Sequence, residues 1–147
     1  MLTEETARAV ASVNYRNSDM TRRQIYTAWD NRKDERRLFQ GLETLVKHGV
    51  LPRHIMVYML IGYWVNETEE DRLHRQSQIR EFGAIPYPMP FKRTRELVGF
   101  QRWVVRHYDK MGVPWDVFKA AKFQPENLPE GWDQGPDPGH DLDVGMM

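Results

Sequence analysis

Three short groups of residues have the side chains and backbone needed to hold a flat, polar ligand. They are Trp29-Asp30-Asn31, Ile61-Gly62-Tyr63 and the proline-rich residues 86–90. A carboxylate such as that of Asp30 can accept hydrogen bonds from ribose hydroxyl groups, and a glycine lets a planar ring come close to the backbone because it has no side chain. Aromatic and proline surfaces can cover the faces of the ring. The three groups together suit a nucleoside.

Each group lies at the end of a predicted β-strand, and these strands span about residues 24–29, 55–62 and 84–87. The second is an unbroken apolar run of strand length, which is typical of a parallel strand covered on both faces. Parallel strands joined by right-handed crossovers have their carboxyl ends along one edge of the sheet, where ligands bind in such folds. We therefore expect the three groups to lie on one rim.

The spacing of apolar residues also predicts the helices, at about 3–13, 34–48, 68–82 and 94–111, with a short docking helix at 115–123. One helix followed by three strand-helix units predicts an α/β fold for residues 1–123. Residues 124–147 are rich in proline, glycine and aspartate and have little to bury, so we expect a disordered tail.

The helix at 68–82 has a clear start signal and an unusually polar composition. Thr68 and Asp71 are spaced as a capping box, in which each side chain bonds the backbone N–H of the other residue. The apolar residues of this helix are Leu73, Ile79 and Phe82. We therefore expect only a narrow stripe of it to pack inward.

The overall composition argues against several classes of function. The chain has 21 lysines and arginines and 21 aspartates and glutamates, so its net charge is zero and it has no general field to attract nucleic acid. No apolar stretch is long enough to span a bilayer, which makes a cytoplasmic location the default expectation. The chain has no cysteine, which removes disulfides, thiol nucleophiles and thiolate ligands for zinc or iron-sulfur clusters.

A metal site built from histidines is not expected either. The five histidines show no spacing typical of a zinc motif. They are His48, His54, His74, His107 and His140.

Four stretches of the sequence together resemble the C-terminal part of a radical S-adenosylmethionine (radical SAM) protein. They are residues 26–31 (YTAWDN), 55–63 (IMVYMLIGY) followed by 68–71 (TEED), 82–91 (FGAIPYPMPF) and 100–108 (FQRWVVRHY). The similarity extends from about Leu2 to Phe118. It rests on the order and spacing of the stretches more than on any single one.

This resemblance implies a partial barrel. In that family, six strand-helix units bind a four-iron four-sulfur cluster through three cysteines, usually spaced CxxxCxxC, near the N-terminus. SAM binds the cluster, and electron transfer cleaves it to a deoxyadenosyl radical that abstracts hydrogen from a substrate. The present chain resembles only the last three units, which implies half of a TIM-type barrel without the cysteine loop.

The resemblance also implies which residues contact SAM. Polar residues at the end of the family's fourth strand meet the ribose, its fifth strand contacts the adenine, and its sixth closes on the adenine ring. The implied contacts in this chain are Asp30, Asn31, Leu60, Ile61, Gly62, Tyr87 and Met89.

The fifth-strand motif GxIxGxxE of the family is half present. Gly62 matches its second glycine, and Leu60 replaces the isoleucine. Tyr58 stands at the first glycine and Val65 at the glutamate.

Simpler explanations exist for each of these residues. Asp30 precedes a helix, and aspartate in that position is often only a cap. Gly62 can serve merely to let the chain turn sharply after the strand. A proline-rich segment such as 86–90 is often a stiff edge strand.

Two functions are compatible with the sequence. In the first, the chain is the SAM-binding half of a radical SAM enzyme and is inactive unless the missing N-terminal half-barrel, or a cluster-bearing chain, completes it. Two open strand edges are then expected, and a second copy of the chain can pair with such an edge to form a homodimer. In the second, the chain is a non-catalytic module that binds a partner protein. The tryptophans that could cover such a partner are Trp64, Trp115 and Trp132.

Overall fold

The computed structural model describes residues 24–130, which contain three strands and four α-helices. The predicted helix at 3–13 and residues 131–147 of the predicted tail lie outside the described residues. In chain order, the elements are β1 (Ile25–Ala28), α1 (Glu35–Lys47), β2 (Ile55–Ile61), α2 (Glu69–Phe82), β3 (Ile85–Pro90), α3 (Arg95–Val105) and α4 (Trp115–Ala120). Single turns of 3-10 helix occur at Arg32–Asp34, Pro52–His54 and Pro125–Asn127.

The three strands are parallel and form one open sheet in the order β1-β2-β3. The predicted α/β class and the predicted parallel strands are therefore confirmed. Within residues 24–130, no helix combines the length and the apolar composition that crossing a bilayer requires.

The chain divides into two units, which are described separately. Of the described residues, the first unit contains 24–59 and 68–86, and the second contains 60–67 and 87–130.

In the first unit, β1 and β2 pair in register from Ile25 opposite Ile55 to Ala28 opposite Tyr58. The ladder continues past β1, because the Trp29 N–H donates to the Tyr58 carbonyl at 2.8 Å. Helix α1 buries a stripe of apolar residues that recur at helical spacing. The apolar residues of the core in this unit include Leu38, Leu42, Leu45, Ile55, Val57, Met59 and Ile79.

Helix α2 begins with the predicted capping box. The Asp71 N–H donates to the Thr68 hydroxyl oxygen at 3.1 Å, and the Thr68 N–H donates to the Asp71 carboxylate at 3.2 Å. The Arg32 guanidinium lies 3.1 Å from the same carboxylate. The hydrogen bond from the Thr68 backbone, followed by the Arg32 interaction, lowers the pKa of Asp71 below its ordinary value. Gly83 ends the helix in the left-handed conformation.

The inward stripe predicted for α2 is only partly right. Ile79 is fully buried, but the other buried residues of the helix are Arg72, Arg75 and Gln76. Leu73 and Phe82 are only half-buried. The inward side of α2 is therefore largely polar, and long arginine side chains replace the apolar residues that the spacing rule looks for.

The second unit has an aromatic core formed by α3, α4 and the segment that follows α4. Trp115 lies 5.1 Å from Phe100, 5.5 Å from Trp103 and 5.8 Å from Phe123, measured between ring centroids. The Trp103 indole N–H donates to the Val113 carbonyl at 2.8 Å. Trp115 is thus a core residue, contrary to the suggestion that it covers a partner.

Helix α3 ends at Val105, although the apolar spacing extended it to residue 111. The chain leaves the helix at His107, which has a left-handed φ of 65°. The Val113 N–H then donates to the Tyr108 carbonyl. Tyr108 is still buried, but in the turn after the helix. The predicted pattern of apolar residues continued past the end of the helix because Tyr108, a buried residue of the turn, fits the helical spacing.

Strand β3 extends to Pro90, three residues beyond its predicted end, despite prolines at positions 86, 88 and 90. Alternate residues of a strand direct their N–H groups to the same side. The Phe91 N–H donates to the Ile61 carbonyl of β2 at 2.8 Å. The backbone nitrogens of the three prolines, at alternate positions, therefore point away from β2, toward the outer edge of the sheet. The Pro88 carbonyl on that side accepts from the Gln101 side chain at 3.0 Å. The prolines therefore remove no bond between β2 and β3.

Candidate functional site

The predicted site residues fall into both units. Asp30 and Asn31 follow β1 in the first unit, whereas positions 60–62, Tyr87 and Met89 belong to the second. The two groups are therefore described in turn.

In the first unit, Asn31 stabilises the turn that follows β1. Its side-chain oxygen accepts from the Lys33 N–H at 3.0 Å and caps the short 3-10 helix. Its backbone carbonyl accepts from the Trp29 indole N–H at 2.8 Å. The cap that the sequence suggested for Asp30 is therefore made by Asn31 instead, and Asp30 is an exposed residue that follows β1.

The end of β1 is held in place by a buried arginine that the sequence analysis did not single out. Arg75 on α2 is only 2% exposed, and its guanidinium donates to the Trp29 carbonyl at 3.0 Å. The Trp29 ring is buried edge-on against Phe39 and His74. These contacts fix the backbone just before Asp30. The available signal was the presence of arginines on the face of α2 that also carries Ile79.

In the second unit, Leu60 and Met89 lie next to each other on one face of the sheet. In a parallel ladder an N–H bonds the carbonyl one residue before its register partner. The bond from Phe91 to Ile61 therefore places Phe91 opposite Gly62 and Met89 opposite Leu60. Leu60 is half-buried and Met89 is exposed, so this pair forms an accessible apolar surface.

Ile61 and Tyr87 are less accessible than this pair. The Ile61 side chain is fully buried, and its carbonyl is occupied by Phe91. Tyr87 is half-buried on β3. Ile61 can therefore affect the site only indirectly, through the packing of β2 that positions the neighbouring residues.

Gly62 has two structural reasons to be a glycine. Its φ is +79°, which side chains rarely adopt, and a Cβ atom there would overlap the Leu97 side chain. Its N–H donates to the Glu67 carboxylate at 2.8 Å, which closes the loop after β2. The sharp-turn explanation is therefore confirmed for Gly62.

Glu67 is a second residue that the sequence analysis missed. The family motif expects its glutamate at position 65, but Val65 is fully exposed and contributes no carboxylate. Glu67, two residues later, supplies the carboxylate that this loop uses. The signal was that Glu67 is the first acidic residue after the strand-ending glycine.

An exposed apolar patch continues from the Leu60 and Met89 pair. Tyr63 contacts both Trp64 and Phe91 edge to face, with ring centroids 4.9 Å apart in each case. The exposed apolar patch is defined as Tyr63, Trp64, Val65, Met89 and Phe91, all of which are exposed. Exposed apolar groups gathered in this way often mark a ligand or partner surface.

A groove in the first unit is not part of this site. It has a volume of about 530 Å³ and lies along α1 and α2, and its lining includes Phe39 and Phe82, whose rings are in contact. None of the predicted site residues lines it.

The site offers apolar surface for packing and side-chain groups for hydrogen bonding. Within residues 24–130 there is no group of three or more histidines, cysteines, aspartates or glutamates that could hold a metal. The whole sequence lacks cysteine, so it has no thiolate for an iron-sulfur cluster.

Comparison of the chain with protein-family models, with curated proteins and with solved structures gave no match.

Proposed function

We propose that this chain is the C-terminal half of a radical SAM barrel, a half TIM-type barrel that supplies the nucleoside-binding side. The proposal rests on the sequence resemblance and on the order of three parallel strand-helix units. The observation that carries it in the structure is the accessible Leu60 and Met89 pair beside the strand-ending Gly62. A flat apolar surface at the carboxyl end of parallel strands suits an adenine ring.

The resemblance assigns the ribose contact to Asp30 or Asn31. Asp30 is an exposed residue that follows β1, and a carboxylate can accept from ribose hydroxyl groups.

The iron-sulfur cluster of the family does not fit this chain, because the sequence has no cysteine to hold it. In the family, the cluster supplies the electron that cleaves SAM. The chain is therefore inactive alone under this proposal, and a cluster-bearing chain must complete the barrel.

Calorimetric titration of SAM into the chain, alone and together with a cysteine-bearing partner chain, tests the proposal. We expect Met89→Gln to weaken binding about tenfold, because a polar amide replaces the apolar surface under the ring. Leu51→Gln is the matched control, since Leu51 is as exposed as Met89 but lies before the amino end of β2, whereas the proposed contacts lie toward the carboxyl ends of the strands. Absence of SAM binding in both settings would overturn the proposal.

A second function is favoured by the exposed apolar patch. Trp64 and Val65 extend the patch beyond the Leu60 and Met89 pair, and tryptophan is common at the centre of protein interfaces. In this alternative, the half-barrel is a non-catalytic module that binds a partner protein through the patch. A chain that fails to bind SAM, but loses a partner on Trp64→Ser, would support it.

A further inference from the structure

We propose that β1 is a dimerisation edge, to which a second copy of this chain adds its own β1 in antiparallel orientation, with the twofold axis at Thr27. This proposal does not depend on SAM binding. It follows from the direction of the backbone groups on the two edges of the sheet.

The outer edge of β1 has backbone groups that are directed away from β2. The Trp29 N–H donates to the Tyr58 carbonyl, so Ile25 and Thr27, at alternate positions, also face β2. Tyr26 and Ala28 therefore direct their N–H and carbonyl groups to the other side. In the sheet that the structure describes, no strand lies on that side of β1.

The described residues of β1 lack two of the features that keep edge strands apart. The strand sequence, IYTA, has no charged residue and no proline. The outer edge of β3 differs from that of β1. The residues whose backbone groups point away from β2 are Pro86, Pro88 and Pro90, and proline has no N–H to donate. Only one of the two open edges expected from the sequence can therefore accept a strand through N–H groups.

This difference between the edges limits assembly to two copies. Pairing of β1 with the β3 of another copy would build an open chain of molecules, and the prolines of β3 prevent it. Pairing of β1 with a second β1 is symmetric and closes on itself.

The β1 edge is complementary to its own copy. In an antiparallel pair centred on Thr27, Tyr26 of each copy lies opposite Ala28 of the other. These are hydrogen-bonded pairs, in which two residues exchange both bonds, so the two strands form four hydrogen bonds. The exposed Tyr26 ring, which stacks on Tyr58 at 5.6 Å, then lies beside a small side chain instead of a second ring.

Sedimentation velocity of the full chain tests the proposal, over about 1 to 300 µM because an interface of four-residue strands is small. We expect a reversible monomer–dimer equilibrium. Ala28→Pro removes an outward N–H and is expected to lower the association constant at least tenfold, as is Tyr26→Lys, which places a charge on the edge. Ala28→Ser is the matched control, because it keeps the N–H and the small size.

Amide hydrogen exchange of the unmodified chain gives a readout that needs no variant. We expect the Tyr26 and Ala28 amides to exchange more slowly as the concentration rises, whereas the Thr27 amide, which faces β2, is protected throughout. A monomer at every concentration, larger open-ended assemblies, or a dimer unaffected by both edge variants would overturn the proposal. Protection of Tyr26 and Ala28 that is independent of concentration would also overturn it.

Discussion

At the scale of single residues, the loop after β2 depends on two short-range contacts. Gly62 adopts a left-handed φ under the Leu97 side chain, and its N–H is held by Glu67. Both contacts fix the backbone beside the Leu60 and Met89 pair. Substitutions here should therefore affect the stability of the second unit and the geometry of the proposed adenine surface together.

Gly62→Ala is expected to destabilise the chain more than Gly49→Ala. Both glycines have positive φ, which costs about 1–2 kcal/mol for alanine. Only Gly62 has a neighbour in the way, since a Cβ at Gly49 meets no atom within 4 Å. The overlap with Leu97 should add about 1–3 kcal/mol. Urea denaturation of both variants measures the difference, and equal losses would show that the Leu97 contact is unimportant.

Glu67→Ala is expected to lower stability by about 1–2 kcal/mol, because it leaves the partly buried Gly62 N–H without its acceptor. Glu67→Gln keeps a side-chain oxygen at the same place and should recover at least half of that loss. Thermal or urea unfolding separates the two variants. A glutamine variant as unstable as the alanine variant would indicate that the negative charge, and not the hydrogen bond, is needed.

At the scale of elements, the start of α2 is coupled to the turn after β1. The Asp71 carboxylate accepts from the Thr68 N–H and pairs with Arg32 of the 3-10 turn. The helix that supplies Arg75 to the end of β1 is thus tied to the same turn at its own N-terminus.

The capping box predicts a pH dependence of stability. The pKa of Asp71 is lower in the folded chain than in the unfolded chain. Its contribution is therefore present above the unfolded pKa of about 3.9 and is lost as the pH falls through the folded pKa. Asp71→Asn should reduce stability at neutral pH and flatten its decline in acid. A pH series of urea denaturation curves checks this, with an unchanged acid decline as the contrary result.

The sequence was most informative where one local rule decided the structure. The unbroken apolar run located β2 to within a residue, and the spacing of Thr68 and Asp71 identified the start of α2. The end of β3 could not be predicted, because the effect of a proline depends on whether its nitrogen faces a neighbouring strand. The end of α3 was not predicted either, because Tyr108 is buried in the turn after the helix at a position that fits helical spacing.

The site was less predictable than the fold. The sequence singled out Asp30, Leu60 and Met89, but it suggested a cap at Asp30, whereas Asn31 caps the turn. Arg75 and Glu67 were missed because their roles depend on acceptors and donors of the backbone, namely the Trp29 carbonyl and the Gly62 N–H. Such partners leave no side-chain pattern in the sequence.

At the scale of the whole molecule, the two sheet edges have opposite properties. The β1 edge can accept a strand, whereas the prolines of β3 close the other edge. A cluster-bearing half-barrel and a second copy of the chain would then compete for β1. Dimerisation is expected to weaken when such a partner chain is added.

Removing the prolines of β3 tests whether they limit assembly. The double variant Pro88→Val, Pro90→Val restores two outward N–H groups, so β1 of one copy can pair with β3 of another. We expect light scattering to show growth beyond dimers as the concentration rises. Met89→Val is the matched control, because its N–H faces β2. Growth in the control, or none in the double variant, would contradict the role assigned to the prolines.

The tryptophan pair in the second unit also provides a spectroscopic reporter. The Trp103 and Trp115 rings are 5.5 Å apart and tilted by 49°, which is close enough for their electronic transitions to couple. Such coupling gives a paired positive and negative band in circular dichroism, and the band disappears when the two indoles separate. Trp29 of the first unit lies against Phe39 and His74 instead. The loss of the paired band on heating therefore reports melting around α3 and α4 specifically, and it allows the cooperativity of the two units to be measured without an added label.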